Sequence, residues 1–193
     1  SPAAERARDY LRRRDVGEAA WRDWGLGYAG QSWRDLHQQL ARQGFPPERC
    51  EELGLIRRKA SGPGHYDAFR NRVMFPVRSV AGRVLGFGAR VLDDSLPKYI
   101  NSADSPVYTK KAILYGLDRA WREIRRAKLG ILVEGYFDVI SLHLAGVPQA
   151  VAACGTAFRS DQAKLLGRYT ERVCVITDGD AAGQKAAVRA AGI

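Results

Sequence analysis

The sequence is short of the residues that build redox and soft-metal chemistry: it has three cysteines, three histidines and one methionine among 193 residues. Cys50, Cys154 and Cys174 are scattered without a C-x-x-C pair, which argues against a structural zinc site and against a disulfide framework. That usage suits a reducing, cytoplasmic compartment. Cys154 and Cys174 fall in apolar runs and read as inert core thiols. His37, His65 and His143 stand apart in the sequence, so none reads as a metal ligand or a general base. No apolar run approaches the roughly twenty residues of a membrane span, and no signal-peptide pattern opens the chain. Internal repeats and low-complexity tracts are missing too. The chain opens on Ser1-Pro2 without a methionine, as a fragment of a longer protein would.

Positive charge is plentiful, and it is unevenly spread. The formal net charge is +10, from 31 Lys and Arg against 21 Asp and Glu. Residues 129–193 hold 6 of each sign, so the whole excess lies in residues 1–128. Such a surface suits a polyanion, with solvated helices as the plainer alternative.

Periodicity divides the chain in two. Before residue 55 the pattern is helical: residues 1–14 opened by Ser1-Pro2, residues 18–24, residues 33–43 capped by Ser32, and a short helix from Pro46-Pro47. Trp21, Trp24 and Trp33 are expected to form the small core there. From Val73 the period changes to two, and residues 73–78 and 83–91 flank Ala81-Gly82 like a hairpin. Pro76 cannot donate to a ladder, so it should lie at an edge or a bulge. Residues 93–115 read as one long polar loop, of the length that carries function. Trp121 is expected to cover the junction between lobes. The last third alternates strand and helix: strands over 130–133, 150–154 and 173–177, helices over 137–145, 160–169 and 181–191. The fold class is therefore α/β, a mixed lobe followed by a βαβαβα parallel sheet.

In such sheets chemistry collects beyond the carboxyl ends of the strands. Glu134-Gly135 follows the first strand and Asp178-Gly179-Asp180 follows the third. Three carboxylates at one edge repel one another unless a cation joins them, and hard oxygen donors suit Mg²⁺ or Mn²⁺ rather than zinc. Gly135 and Gly179 leave room for a phosphate. Asp138 is a fourth candidate ligand, though an acid in a first helical turn also complements the helix dipole. The competing reading makes Asp180 a helix cap, Glu134 a solvated strand end and Asp178-Gly179 a turn.

These segments carry a resemblance. Val133-Glu134-Gly135-Tyr136-Phe137-Asp138-Val139, Cys154-Gly155-Thr156 and Asp178-Gly179-Asp180-x-x-Gly183 resemble the Toprim domain of bacterial DNA primases, the DnaG family. Arg72-Val73-Met74-Phe75-Pro76-Val77, Gly86-Phe87-Gly88-x-Arg90-Val91-Leu92 and Pro97-Lys98-Tyr99-Ile100-Asn101-Ser102 resemble that family's N-terminal lobe. The resemblance implies a basic lobe over residues 1–116 and a C-terminally truncated Toprim domain over residues 117–193. It implies that Glu134, Asp178 and Asp180 are catalytic and, with Asp138, hold Mg²⁺ or Mn²⁺. It places Lys98, Tyr99, Asn101, Ser102 and Lys110 at a nucleotide site, and Arg14, Arg90, Lys98 and Lys110 along nucleic-acid phosphates. The implied activity is RNA primer synthesis from ribonucleoside triphosphates on a single-stranded DNA template. A replicative helicase is the implied partner, through a C-terminal domain outside this chain. The family's zinc-binding domain and a further downstream acidic pair have no counterpart here. Two other classes share parts of the pattern, a Toprim-type nuclease or topoisomerase-like enzyme and a non-catalytic nucleic-acid-binding module.

Overall fold

The structure, a computed structural model, describes residues 4–153, 155 and 158–192. The expected helix start at Ser1-Pro2, and the expectations for Cys154 and Thr156, lie outside the described residues. The chain divides into two compact units, Ser1–Pro76 with Gly86–Thr109, and Val77–Leu85 with Lys110–Ile193. These limits differ from 1–116 and 117–193. The hairpin tip joins the second unit because Val80, Ala81 and Gly82 border one cavity with Asp118, Trp121 and Arg122.

The first unit begins with α1 (Glu5–Arg12) and α2 (Glu18–Trp24), whose Ala7, Leu11, Ala20 and Trp24 are buried. The strand β1 (Gly27–Ala29) follows, then α3 (Asp35–Arg42) and α4 (Pro47–Glu52). Ser32 is not the cap of α3. The carboxylate of Asp67, itself only 3% exposed, accepts the N–H groups of Leu36 and His37 at 2.8 and 2.9 Å. It satisfies two of the orphan donors of that helix start from about thirty residues away. Trp33 departs from the expected core: it is 60% exposed, and the Arg70 guanidinium lies 3.9 Å from its ring centroid. A cation on the ring face compensates for lost burial.

Two short strands, β2 (Ile56–Arg58) and β3 (His65–Asp67), form an antiparallel ribbon. The main sheet of this unit runs β1-β4-β5-β6, with β4 (Arg72–Arg78), β5 (Val84–Val91) and β6 (Tyr99–Asn101). Pairing of β1 reaches only Arg72 to Met74 on β4, so Pro76 lies past its end, where the missing N–H costs no β1 bond. The polar segment from residue 93 is not one loop, because β6 zips along β5 with Arg90 opposite Tyr99. Gly86 explains how the segment closes down: a Cβ there would lie 3.0 Å from the Tyr108 ring and 3.1 Å from the Ser102 Cβ.

The second unit keeps the expected alternation, with the two later strands and the helix between them shorter than expected. After α5 (Leu117–Ala127) come β7 (Gly130–Val133), α6 (Tyr136–Leu144), β8 (Ala150–Ala152), α7 (Ser160–Leu166), β9 (Val173–Val175) and α8 (Ala181–Ala191). The sheet is parallel, ordered β8-β7-β9. Its core gathers Leu114, Leu117, Ala120, Ile124, Leu132, Val151 and Leu166. Trp121 packs on this core beside Tyr169, so its burial belongs to the second unit itself. Cys174 is exposed rather than a core thiol, because β9 is an edge strand. No helix among the described residues is long and apolar enough to cross a membrane.

Candidate active site

The parallel sheet sets the acidic residues. Glu134 directly follows β7, and Ile176 keeps the chain beside that strand by donating its N–H to the Leu132 carbonyl at 2.9 Å. Two residues on, the Asp178 N–H donates to Glu134 Oε1 at 3.1 Å. Asp180 then caps α8, its Oδ1 accepting the Gly183 N–H at 2.7 Å. Gly183 has no room for a side chain: a Cβ would sit 2.1 Å from the Asp178 carbonyl oxygen. Asp138 plays the equivalent part at α6, where its Oδ2 accepts the Gly135 N–H at 2.8 Å.

The structure therefore brings Glu134 and Asp178 together and gives Asp180 and Asp138 capping roles. Among the described residues no group of three or more His, Cys, Asp or Glu is placed to hold a metal ion. The donor chemistry nevertheless fits a hard divalent cation. All four acids are exposed, and among the described residues no Lys, Arg or His pairs with any of them. Glu134, Asp138 and Asp180 each commit one oxygen to an N–H, which leaves the other for a cation.

The first unit carries most of the basic candidates. In the run of three arginines after Leu11, Arg12 is occupied by Glu5 and Asp9 at 2.9 and 2.7 Å. Arg14 instead lies over the Tyr10 ring, 5.4 Å from its centroid. Arg90 meets the same tyrosine, its Nε donating to the Tyr10 hydroxyl at 3.1 Å, and lies 5.0 Å from the Tyr99 ring. Lys98 is exposed on the adjoining segment, whose backbone is pinned by the buried Arg72. The Arg72 Nη1 and Nη2 donate to the carbonyls of Lys98 and Pro97 at 3.2 and 3.1 Å. Burial lowers the Arg72 pKa below the ordinary guanidinium value.

Asn101 is half-buried at the end of β6. Ser102 is 2% exposed, and its Oγ accepts the Phe87 N–H at 2.9 Å, so it fastens the segment to β5 instead of lining a surface. Lys110 opens a 3-10 turn, Lys110–Ala112, in the second unit. The fully buried Gln162 on α7 holds that turn, donating to the carbonyls of Lys110 and Ile113 at 3.3 and 2.9 Å. His37 and His65 are not isolated: their rings meet edge to face, with centroids 5.6 Å apart.

Sequence reasoning missed Tyr10, Arg72 and Gln162. Their partners lie 80, 26 and 49 positions away, beyond any local pattern. Gly183 stood inside a quoted motif without a reason, and its contact with Asp178 supplies one.

Comparison with known proteins identifies the family. The family described as DNA primase catalytic core, N-terminal domain, matches residues 1–121, and a Toprim-like family matches residues 131–193. The DNA primase of Synechococcus elongatus is 45% identical over 195 residues, covering 99% of this chain and 28% of that protein. The RNA polymerase domain of Mycobacterium tuberculosis primase DnaG superposes with a TM-score of 0.91 at 40% identity, covering 98% of this chain and 64% of that one. A DnaG primase catalytic domain bound to single-stranded DNA gives 0.86 at 38% identity, with 98% and 59% coverage. The chain thus spans under a third of its curated relative.

Proposed function

The chain belongs to the DNA primase catalytic core family, and on that premise we propose that it is the part of a primase that joins ribonucleotides on a single-stranded DNA template. The observation that carries this reading is the contact between Asp178 and Glu134, which sets acidic groups at the functional edge of a parallel sheet. Glu134, Asp178 and Asp180 would hold Mg²⁺ or Mn²⁺, with Asp138 beside them. A bound ion of this kind lowers the pKa of an attacking hydroxyl and offsets charge on leaving pyrophosphate.

The chain's own residues supply binding and orientation. Arg14, Arg90 and Lys98 present cations to phosphates of template or nucleotide, and Lys110 adds another from the second unit. Tyr99 and Asn101 lie on β6, which pairs with the strand of Arg90, and a sugar or base edge can meet them there. Ser102 acts indirectly, by keeping that strand in place. Single-stranded DNA and ribonucleoside triphosphates are the ligands in this reading. A replicative helicase would engage a part of the protein outside this chain, and the working compartment would be the cytoplasm.

Primer synthesis by the full-length protein tests the reading. Asp178→Ala should lower the rate of ribonucleotide incorporation at least about a hundredfold while template binding persists. Undiminished synthesis would overturn it.

A further inference from the structure

Arg90 is restrained at one end of its guanidinium and, among the described residues, unmatched at one nitrogen of the other. Its Nε donates to the Tyr10 hydroxyl at 3.1 Å, and the Tyr10 ring centroid lies 5.8 Å away. The hydrogen bond ties the cation to the hydroxyl of the phenol. The Tyr99 ring lies 5.0 Å from the same guanidinium. Beyond those restraints, the Arg90 Nη1 is buried and has no hydrogen-bond partner among the described residues. A buried donor left unmet is costly, and such groups in native structures point to a missing acceptor. The cationic fork matches one acceptor best, a phosphate oxygen.

We propose that Tyr10 is a positioning residue, whose hydroxyl aims the Arg90 Nη1 at a phosphate oxygen of the bound ligand. The inference rests on the reading of Arg90 as a phosphate contact and assigns the residue that makes that contact efficient. A free arginine must give up rotamers when it meets a phosphate, and fixing Nε in advance removes much of that loss. Tyr10 serves both cations through different parts of one side chain, the oxygen lone pair for Arg90 and the ring for Arg14. The phosphate can come from the template backbone or from a nucleotide triphosphate.

The test is a double-mutant cycle in the full-length protein. One arm follows a labelled single-stranded oligonucleotide by anisotropy, and the other follows a fluorescent GTP analogue without DNA; the arm that responds identifies the phosphate. Tyr10→Phe, which keeps the ring and removes the hydroxyl, should weaken binding about fivefold, the share of one hydrogen bond. It should have no further effect when Arg90 is Met, or when Arg90 is Lys, which keeps the charge but has no Nε. Equal losses in all backgrounds would overturn the proposal, because Tyr10 would then act independently of Arg90. So would an unchanged affinity in Tyr10→Phe while Arg90→Met binds weakly, a result that leaves the phosphate site standing. If Arg90→Met itself binds normally in both arms, the phosphate site fails and the role of Tyr10 fails with it. Should Tyr10→Phe not fold, the Arg90 Nε–H resonance of the wild type decides. Protection from exchange supports the contact, and exchange as fast as in free arginine refutes it.

Discussion

Asp178 donates its backbone N–H to the Glu134 carboxylate at 3.1 Å, joining two positions 44 residues apart. The contact makes Glu134 more than a charge, since its oxygen also fixes the turn that carries Asp178. Glu134→Gln keeps an acceptor there and removes the charge, whereas Glu134→Ala removes both. Calorimetric titration with Mn²⁺ should lose most of its heat in either variant. The melting temperature should fall only in Glu134→Ala, by the equivalent of about 1 kcal/mol. Undiminished Mn²⁺ heat in Glu134→Gln would remove Glu134 from the metal site.

Gly183→Ala tests the same corner without touching an acid. Its Cβ would stand 2.1 Å from the Asp178 carbonyl oxygen, so either the first turn of α8 or the Asp178 turn must move. The expected outcome is about 1–3 kcal/mol of lost stability, together with weaker Mn²⁺ binding. Normal Mn²⁺ affinity in a destabilised Gly183→Ala would show that the turn does not set the metal site.

Gln162→Leu should destabilise by about 1–3 kcal/mol despite adding apolar volume, because the carbonyl of Ile113 and the N–H of Arg159 both lose their partner. Chemical denaturation measures it directly. A neutral or stabilising result would mean that water replaces the amide.

Oligonucleotide affinity should fall steeply with salt, by about 0.7 log units per log unit of salt for each phosphate neutralised on a single strand. Arg90→Ala and Lys98→Ala should each lower that slope by about one contact. Arg126→Ala, at an exposed residue paired with Glu123, should leave it unchanged. Equal effects at all three positions would disperse the site over the whole basic surface.

Much of the second unit is legible in the sequence because its strands are short apolar runs separated by helical patterns. That rhythm alone places Glu134 and Asp178 at one edge. The hydrogen bond between them is not legible, nor is the use of Asp180 and Asp138 as caps in preference to a finished metal cage. An aspartate suits both jobs, and only coordinates distinguish them. Trp33 misled for a similar reason, since a tryptophan at the start of an expected helix reads as core when the cation covering the ring is 37 positions downstream. Asp67 and Tyr10 were silent because a long-range cap and a long-range acceptor leave no periodic trace.

Burial raises the Asp118 carboxyl above its ordinary 3.8, against the opposing pull of Arg119, Arg78 and His143. An acid whose pKa is raised by folding favours the folded state at low pH, and that contribution disappears as pH climbs through the folded value. Asp118→Asn should therefore melt higher than wild type at neutral pH, and the advantage should vanish below about pH 4. An advantage that grows on acidification would contradict the assignment.

The chain crosses between its two units three times, after Pro76, after Leu85 and before Lys110. Neither unit is therefore a continuous length of polypeptide. A protease that nicks one crossing leaves two covalent ties in place, so limited digestion should yield pieces that stay associated until denaturant is added. Expression from Lys110 onward would omit residues 77–85 and expose the side of α5 that carries Asp118 and Trp121. An excision that respects the architecture has to carry the hairpin tip along, for example by linking residues 77–85 to the start of the second segment.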